Sequence, residues 1–354
     1  MSQKKPTVMQ GPVCPVPLPH KDKIILGHGS GGRLTRELIT KVFKPYFSNP
    51  ELEADNDFAK LMPSTGKIAI STDSHIVKPL FFPGGDIGKL AVCGTVNDVA
   101  MSGAEPKYLT AGFIIEEGFE IEKLAEIVKS MKESADEAGV VIVAGDTKVV
   151  EKGKADGLFI NTTGLGWSDH EYEIGGALAK PGDEIIISGT MGDHGIAVLS
   201  ARGEMGFETE IQSDVAPLNQ MIKGLLQVCP HVHVLRDPTR GGLATTLNEI
   251  ALQSHVCIQI DERSIPISQP VQTACEMLGF DPLYVANEGK VIVILPPDEV
   301  SASLQFLKSH PYGKDAARIG LVQDLPSGRV LMKTLIGGTR VLDMLAGELL
   351  PRIC

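Results

Sequence analysis

Residues 67–104, KIAISTDSHIVKPLFFPGGDIGKLAVCGTVNDVAMSGA, contain a strand and a helix whose contrast decides the fold class. The first part, 67–77, reads as a strand running into an acidic turn at Asp73. The second part, 86–104, reads as a mostly apolar helix ending at Gly103, and such a helix must be buried on most of its circumference. Downstream, KYLTAGFIIEEG (107–118) is a strand, and IEKLAEIVKSMKESADEAG (121–139) is an amphipathic helix with Gly139 as its C-cap. VVIVAGDTKVV (140–150) is a further strand ending at an acidic turn, followed by a fourth at GLFINTTGLG (157–166). Upstream, residues 23–47 give a short strand, a glycine-rich turn and a helix. Leu34, Leu38, Ile39 and Val42 share one face of that helix, and Lys44-Pro45 stops it. Strands alternating with helices imply a layered α/β fold.

A glycine-rich boundary near 168–182 opens a second unit, PGDEIIISGTMGDHGIAVLSARG (181–203). Helix-like 239–253, 270–279 and 298–309 then alternate with strand-like 255–261 and 290–296, and the unit closes on strands around 318–325 and 329–338. Both halves are mixed α/β of similar size, without a sequence repeat strong enough to indicate duplication. The expected organisation is a flexible proline-rich lead-in (1–22), an N-terminal domain (23–170), a C-terminal α/β domain (171–340) and a mobile tail (341–354).

A chain of 354 residues is long enough for two such domains, and 43% hydrophobic with 22% charged residues belongs to a globular protein. A net charge of −11 without a basic run excludes nucleic acid and anionic membranes as partners of the chain as a whole. There is no signal-peptide core and no window of about 18 apolar residues, so the expected location is cytoplasmic. Six cysteines without a C-x-x-C argue against a zinc ribbon or redox dithiol. Cys93, Cys257 and Cys275 sit in apolar company and read as core residues, whereas Cys14 lies in the lead-in and Cys354 is the last residue.

GHGSGGR (27–33) matches G-x-G-x-x-G at Gly27, Gly29 and Gly32. The preceding strand is too short for a dinucleotide fold, and the acids of PELEADND do not end a second strand. The motif reads instead as a phosphate flap, whose glycines bring backbone N–H groups close to an anion, or as a flexible turn. FFPGGDIGKLA is not a P-loop: Gly84 to Gly88 is one residue short, and Leu90 replaces the Ser or Thr that would hold Mg²⁺. Asp57, Asp73, Asp98 and Asp146 each follow or interrupt apolar sequence. Each alone reads as a helix cap or turn former; together they suit Mg²⁺ bridged to phosphate oxygens. Lys148, two residues beyond Asp146, reads as a phosphate contact or as exposed surface. The second half adds polar clusters at Asp193-His194, Asp237 with Arg240, and Asn287-Glu288. His231 and His233 supply at most two metal ligands.

The combination HGSGGR, 71–104, VAGDTKVV, SGTMGDHG, RDPTRGG, ANEGK and a terminal PRIC closely resembles the HypE family of hydrogenase maturation proteins. That family belongs to the ATP-using superfamily of aminoimidazole ribonucleotide synthetase, selenophosphate synthetase and thiamine monophosphate kinase. The likeness runs from about Lys23 to Cys354 and departs only in the longer N-terminus carrying Cys14. It implies a homodimer whose N-terminal sheets pair into a barrel, with ATP between the domains. The implied ATP contacts are Gly29, Gly31, Gly32, Asp73, Asn97, Asp98, Asp146, Thr147 and Lys148; Asp57, Asp73, Asp98, Asp146 and Asp237 are the implied Mg²⁺ ligands.

The implied reaction is ATP-dependent dehydration of an S-carbamoyl group on Cys354 to a thiocyanate. The carbamoyl group arrives from the carbamoyltransferase HypF, and the cyanide leaves to iron on a HypC–HypD complex for a [NiFe] centre. Because an amide oxygen leaves poorly, it is first phosphorylated, and a base then takes protons from the carbamoyl nitrogen. Glu288 is the first candidate and His75 the second, with Lys148 beside the phosphate. From Val341 the tail could extend on the order of 40 Å, a swinging arm on which the thiol is carrier rather than catalyst. Two alternatives remain: phosphoryl transfer to a small molecule, as in the superfamily relatives, and a non-catalytic thiol carrier.

Overall fold

Asp86 accepts the N–H groups of Gly88 and Lys89 at 2.6 and 3.2 Å and so caps α1 (Ile87–Met101), the helix around which the molecule is organised. The computed structural model describes residues 22–56, 58–62, 64–171, 173–203, 210–347, 350 and 353. The lead-in with Cys14, the expected metal ligand Asp57 and the carrier Cys354 lie outside the described residues. As its composition requires, α1 is buried along almost its whole length. Glycine permits two of its close contacts: a Cβ at Gly88 would lie 2.5 Å from the Ile127 carbonyl, and one at Gly94 would lie 3.0 Å from the His75 ring.

Strands β1 (Lys67–His75), β2 (Glu105–Glu116), β3 (Val141–Val150) and β4 (Leu158–Ser168) form a four-stranded sheet in the order β1-β4-β2-β3. Only β2 and β3 run parallel; α2 (Ile121–Ala138) connects them and ends at Gly139 in the left-handed region, φ 73°. The helices cover one face of the sheet. The other carries Ile68, Ile70 and Ile114, which are 59%, 66% and 44% exposed, beside the edge-on pair Tyr108–Trp167. Within this chain the sheet stays open and closes no barrel.

The second unit is built on a seven-stranded sheet of β5 (Glu184–Ile187), β6 (Val234–Arg236), β7 (Cys257–Asp261), β8 (Ile292–Leu295), β9 (Ala317–Gln323), β10 (Arg329–Lys333) and β11 (Thr339–Leu342). Their order is β11-β10-β7-β9-β5-β8-β6. β5 and β8 are buried on both faces and read as continuous apolar runs. Cys93, Cys257 and Cys275 are buried, as expected for core residues. Among the described residues no helix is long and apolar enough to cross a membrane.

Three local expectations need correction. Residues 23–25 make only an isolated bridge, Lys23 to Glu120, before a 3₁₀ turn at Leu26–Gly29. Residues 33–47 remain helical through Pro45, passing from α (Arg33–Leu38) to π (Ile39–Phe43) and back to α (Lys44–Phe47). Pro45 falls in the first turn of the last segment, where its missing N–H needs no partner, and the helix buries Phe43 and Phe47 as well as Leu38 and Val42. Finally, β11 runs to Leu342, past the expected start of the arm.

Candidate active site

The expected site acids divide into two groups. Asp73 lies inside β1, Asp98 on α1, and Asp237 directly after β6. Neither Asp73 nor Asp146 occupies the turn beyond its strand that the sequence suggested. Asp98 accepts the Ser71 hydroxyl at 2.7 Å, and Arg240 reaches Asp73 at 3.5 Å. Burial raises the Asp98 carboxyl above its usual range, and neighbouring Asp73 raises it further. Burial, then the charge of Asp98, pushes Asp237 up to about 7. Glu288 is raised well above the carboxylate range by burial first, then by Asp237, Asp214 and Asp73. Its Oε1 is buried without a hydrogen-bond partner. Such a cluster holds protons or attracts a cation. Among the described residues no three His, Cys, Asp or Glu side chains stand close enough to chelate a metal on their own. An oxygen-preferring ion would therefore need a ligand's own oxygens to complete its shell.

Asp146 is elsewhere. It pairs with Gly112 on β3, while Asp73 pairs with Thr162 on β4. Strand alternation turns Asp146 to the open face and Asp73 to the helix-covered face, and three strand spacings separate them by about 14 Å. Lys148 shares the open face and stands 3.3 Å from Asp146. Thr147, between them, is buried. The glycine-rich turn lies on this edge: a Cβ at Gly29 would be 2.4 Å from the Val149 nitrogen. Gly31 (φ 79°) and Gly32 face open space.

Asn97 and His75 are sealed in. The Asn97 amide donates to the carbonyls of Ala216 and Glu288 at 3.0 and 3.3 Å and accepts the Leu218 N–H at 2.7 Å, joining α1 to the second unit. The His75 ring, 1% exposed, sits 3.8 Å from Asp73, and burial lowers its pKa to about 4. At neutral pH it is an uncharged, weak base.

Sequence reasoning missed the residues that support Glu288. Asp214 and Lys290 form a buried pair at 3.0 Å. Burial alone would raise the Asp214 carboxyl, but Lys290 and His194 bring it below the usual range. Asp214 accepts the backbone N–H groups of Glu288 and Gly289 at 3.1 and 3.3 Å. Asn287 accepts the Gly192 N–H at 2.7 Å and donates to the Pro238 carbonyl at 2.9 Å, so GTMGDHG, RDPTRGG and ANEGK meet at one amide. The polar clusters marked these segments; their partners were not legible.

The end of the arm enters the same region. His194 contacts the Ile353 carbonyl through Nε2 at 2.8 Å and the Ser213 hydroxyl through Nδ1 at 2.8 Å. Ile353 is 5% exposed and joins the core around Phe82, Val198, Val215 and Ala286. Burying that side chain contributes on the order of 2 kcal/mol.

Residues 55–168 match the family model of the AIR synthase related protein N-terminal domain, and 180–333 match that of its C-terminal domain. The carbamoyl dehydratase HypE of Cupriavidus necator is 54% identical, over 94% of this chain and 95% of its own. A crystal structure of hydrogenase maturation protein HypE in complex with ATP superposes with a TM-score of 0.90 at 52% identity, covering 93% of this chain and 99% of that one. HypE in a HypE–HypF complex superposes at 0.77 with 54% identity, covering 87% and 99%.

Proposed function

This chain belongs to the HypE carbamoyl dehydratases of the AIR synthase related family, and from that membership we infer that it converts S-carbamoyl on Cys354 to a thiocyanate for [NiFe] hydrogenase maturation. The observation that carries this reading is the docking of Ile353, the neighbour of Cys354, into the region organised around Glu288 in the same chain. Acting in the cytoplasm, the chain would receive its carbamoyl group from a HypF protein, in keeping with the HypE–HypF relative, and yield cyanide to iron on a HypC–HypD complex.

The oxygen of R–S–C(=O)–NH₂ takes the γ-phosphoryl group of ATP and leaves as phosphate. The two nitrogen protons pass to bases, and the C–N bond becomes C≡N. Gly29, Gly31 and Gly32 over β3, with Asp146, Thr147 and Lys148, suit the nucleotide phosphates. Asp73, Asp98 and Asp237 are oxygen donors that fit Mg²⁺ alongside those phosphates, where the ion would neutralise developing charge.

Glu288 is the proton acceptor best placed for the carbamoyl nitrogen. Burial, then the neighbouring acids, raises its pKa and makes its carboxylate a stronger base, and its Oε1 has no competing partner. Conversion should increase with pH as Glu288 loses its proton. Glu288→Gln should cut it by about 10²–10⁴-fold while ATP still binds. His75 is the weaker second candidate.

Two copies of the open sheet face would cover Ile68, Ile70, Ile114 and Trp167 and close the barrel of a homodimer. Mass spectrometry of the C-terminal peptide after incubation with ATP and a carbamoyl-donor system tests the reaction. Carbamoylated Cys354 should lose the mass of one water; an unmodified tail under competent conditions overturns the assignment.

A further inference from the structure

We propose that His194 is a positioning residue that latches the arm of its own chain by the peptide bond joining Ile353 to Cys354. The proposal rests on Cys354 being the carrier and adds how the carrier is held. The carbonyl fixes the direction of the hydrogen bonds. The Ile353 carbonyl can only accept, so His194 Nε2–H donates to it at 2.8 Å. Burial keeps the ring neutral, so Nδ1 accepts the Ser213 hydroxyl at 2.8 Å, and Ser213 Oγ in turn accepts the Val215 N–H at 3.1 Å. Ser213 is itself anchored, its N–H donating to the Pro83 carbonyl at 2.8 Å. Phe82 braces the His194 ring edge-on, with centroids 5.5 Å apart and planes at 90°.

The arm is shaped to this seat. Ile353 fills apolar space, and Leu350 packs over Gly195, where a Cβ would lie 3.5 Å from Leu350 Cδ1 and 2.4 Å from Val285 Cγ1. When the arm leaves, a fully buried N–H loses its partner, and this biases the arm toward its own cleft. Because the grip is on the main chain, it acts alike on free thiol, carbamoyl and thiocyanate.

The test is the alkylation rate of Cys354 by iodoacetamide, followed peptide by peptide by mass spectrometry. Cys93, Cys229, Cys257 and Cys275 are buried and do not compete. His194→Leu should speed labelling roughly tenfold, the effect of one lost buried hydrogen bond. His194→Gln, whose amide N–H reaches the same carbonyl, should label near the wild-type rate. Ile353→Ser should speed labelling too, and tests the contact from the arm's side, where a folding defect at His194 cannot intrude. Equal rates in wild type, His194→Leu and Ile353→Ser overturn the proposal, as does His194→Gln labelling as fast as His194→Leu. Thiocyanate formation by the wild type is scored separately: a nitrile with no change in labelling removes the latch and leaves the reaction, and the reverse pattern removes the reaction alone.

Discussion

Two aspartate–lysine pairs stand at nearly the same separation and do opposite things. Asp146–Lys148 is 3.3 Å apart with side chains 70% and 64% exposed, while Asp214–Lys290 is 3.0 Å apart with side chains 4% and 11% exposed. In the single chain water screens the first pair, so its charges cost the fold little. The second has given up its water; its charges are committed to each other and to the backbone N–H groups of Glu288 and Gly289. Distance alone does not separate a screened surface pair from a scaffold pair. Solvation does.

The sharpest way to break that contrast is Lys290→Ala, which strands the Asp214 carboxylate in the interior. It should cost about 3–5 kcal/mol, read as a fall of roughly 10 °C in Tm. A fall of only a degree or two would place Lys290 with the exposed class.

Asp237→Asn probes the buried carboxyls from the other direction. Asp237 has a folded pKa of about 7 against an ordinary value of 3.8, so between those values the folded state binds more protons than the unfolded one. Stability therefore falls as pH rises through that window. The substitution should raise Tm by about 3–6 °C at pH 8, with the gain fading below about pH 4, even as ATP-dependent conversion is lost. A gain independent of pH would refute the electrostatic account.

The smallest stability effect belongs to Lys148→Ala, which should stay within about 0.5 kcal/mol in denaturant melts. Its effect should appear instead in the dependence of conversion on ATP concentration; an unchanged dependence would remove Lys148 from the nucleotide site.

What the sequence disclosed follows the range of the interactions involved. The all-round apolarity of α1 required burial on both sides, and Gly139 ended α2 where a left-handed residue was needed. Both are local signals. The facing of Asp73 and Asp146 was not local: turn-like neighbours suggested strand ends, but the side each acid faces depends on pairing with β4 and β2 and on an irregularity between Leu109 and Thr110. Pro45 misled in the same way, because a stop signal gives way where the helix restarts around it. His194 was visible as a polar residue entering an apolar run, yet its contact with Ile353 spans 159 positions. The Asp214–Lys290 pair likewise joins segments distant in sequence, and no pattern within either one announces it.

The Asn97 amide bears on how the molecule moves. Three hydrogen bonds tie this one side chain on α1 to backbone on the far side of the cleft. Asn219 and Gln220 add hydrogen bonds to the Ala138 carbonyl, and Lys223 adds an ion pair to Glu105, so the two units are stitched along a seam rather than hung on a single pin. A seam of this kind resists hinging, and Asp98, the residue after Asn97, keeps a fixed register with the second unit.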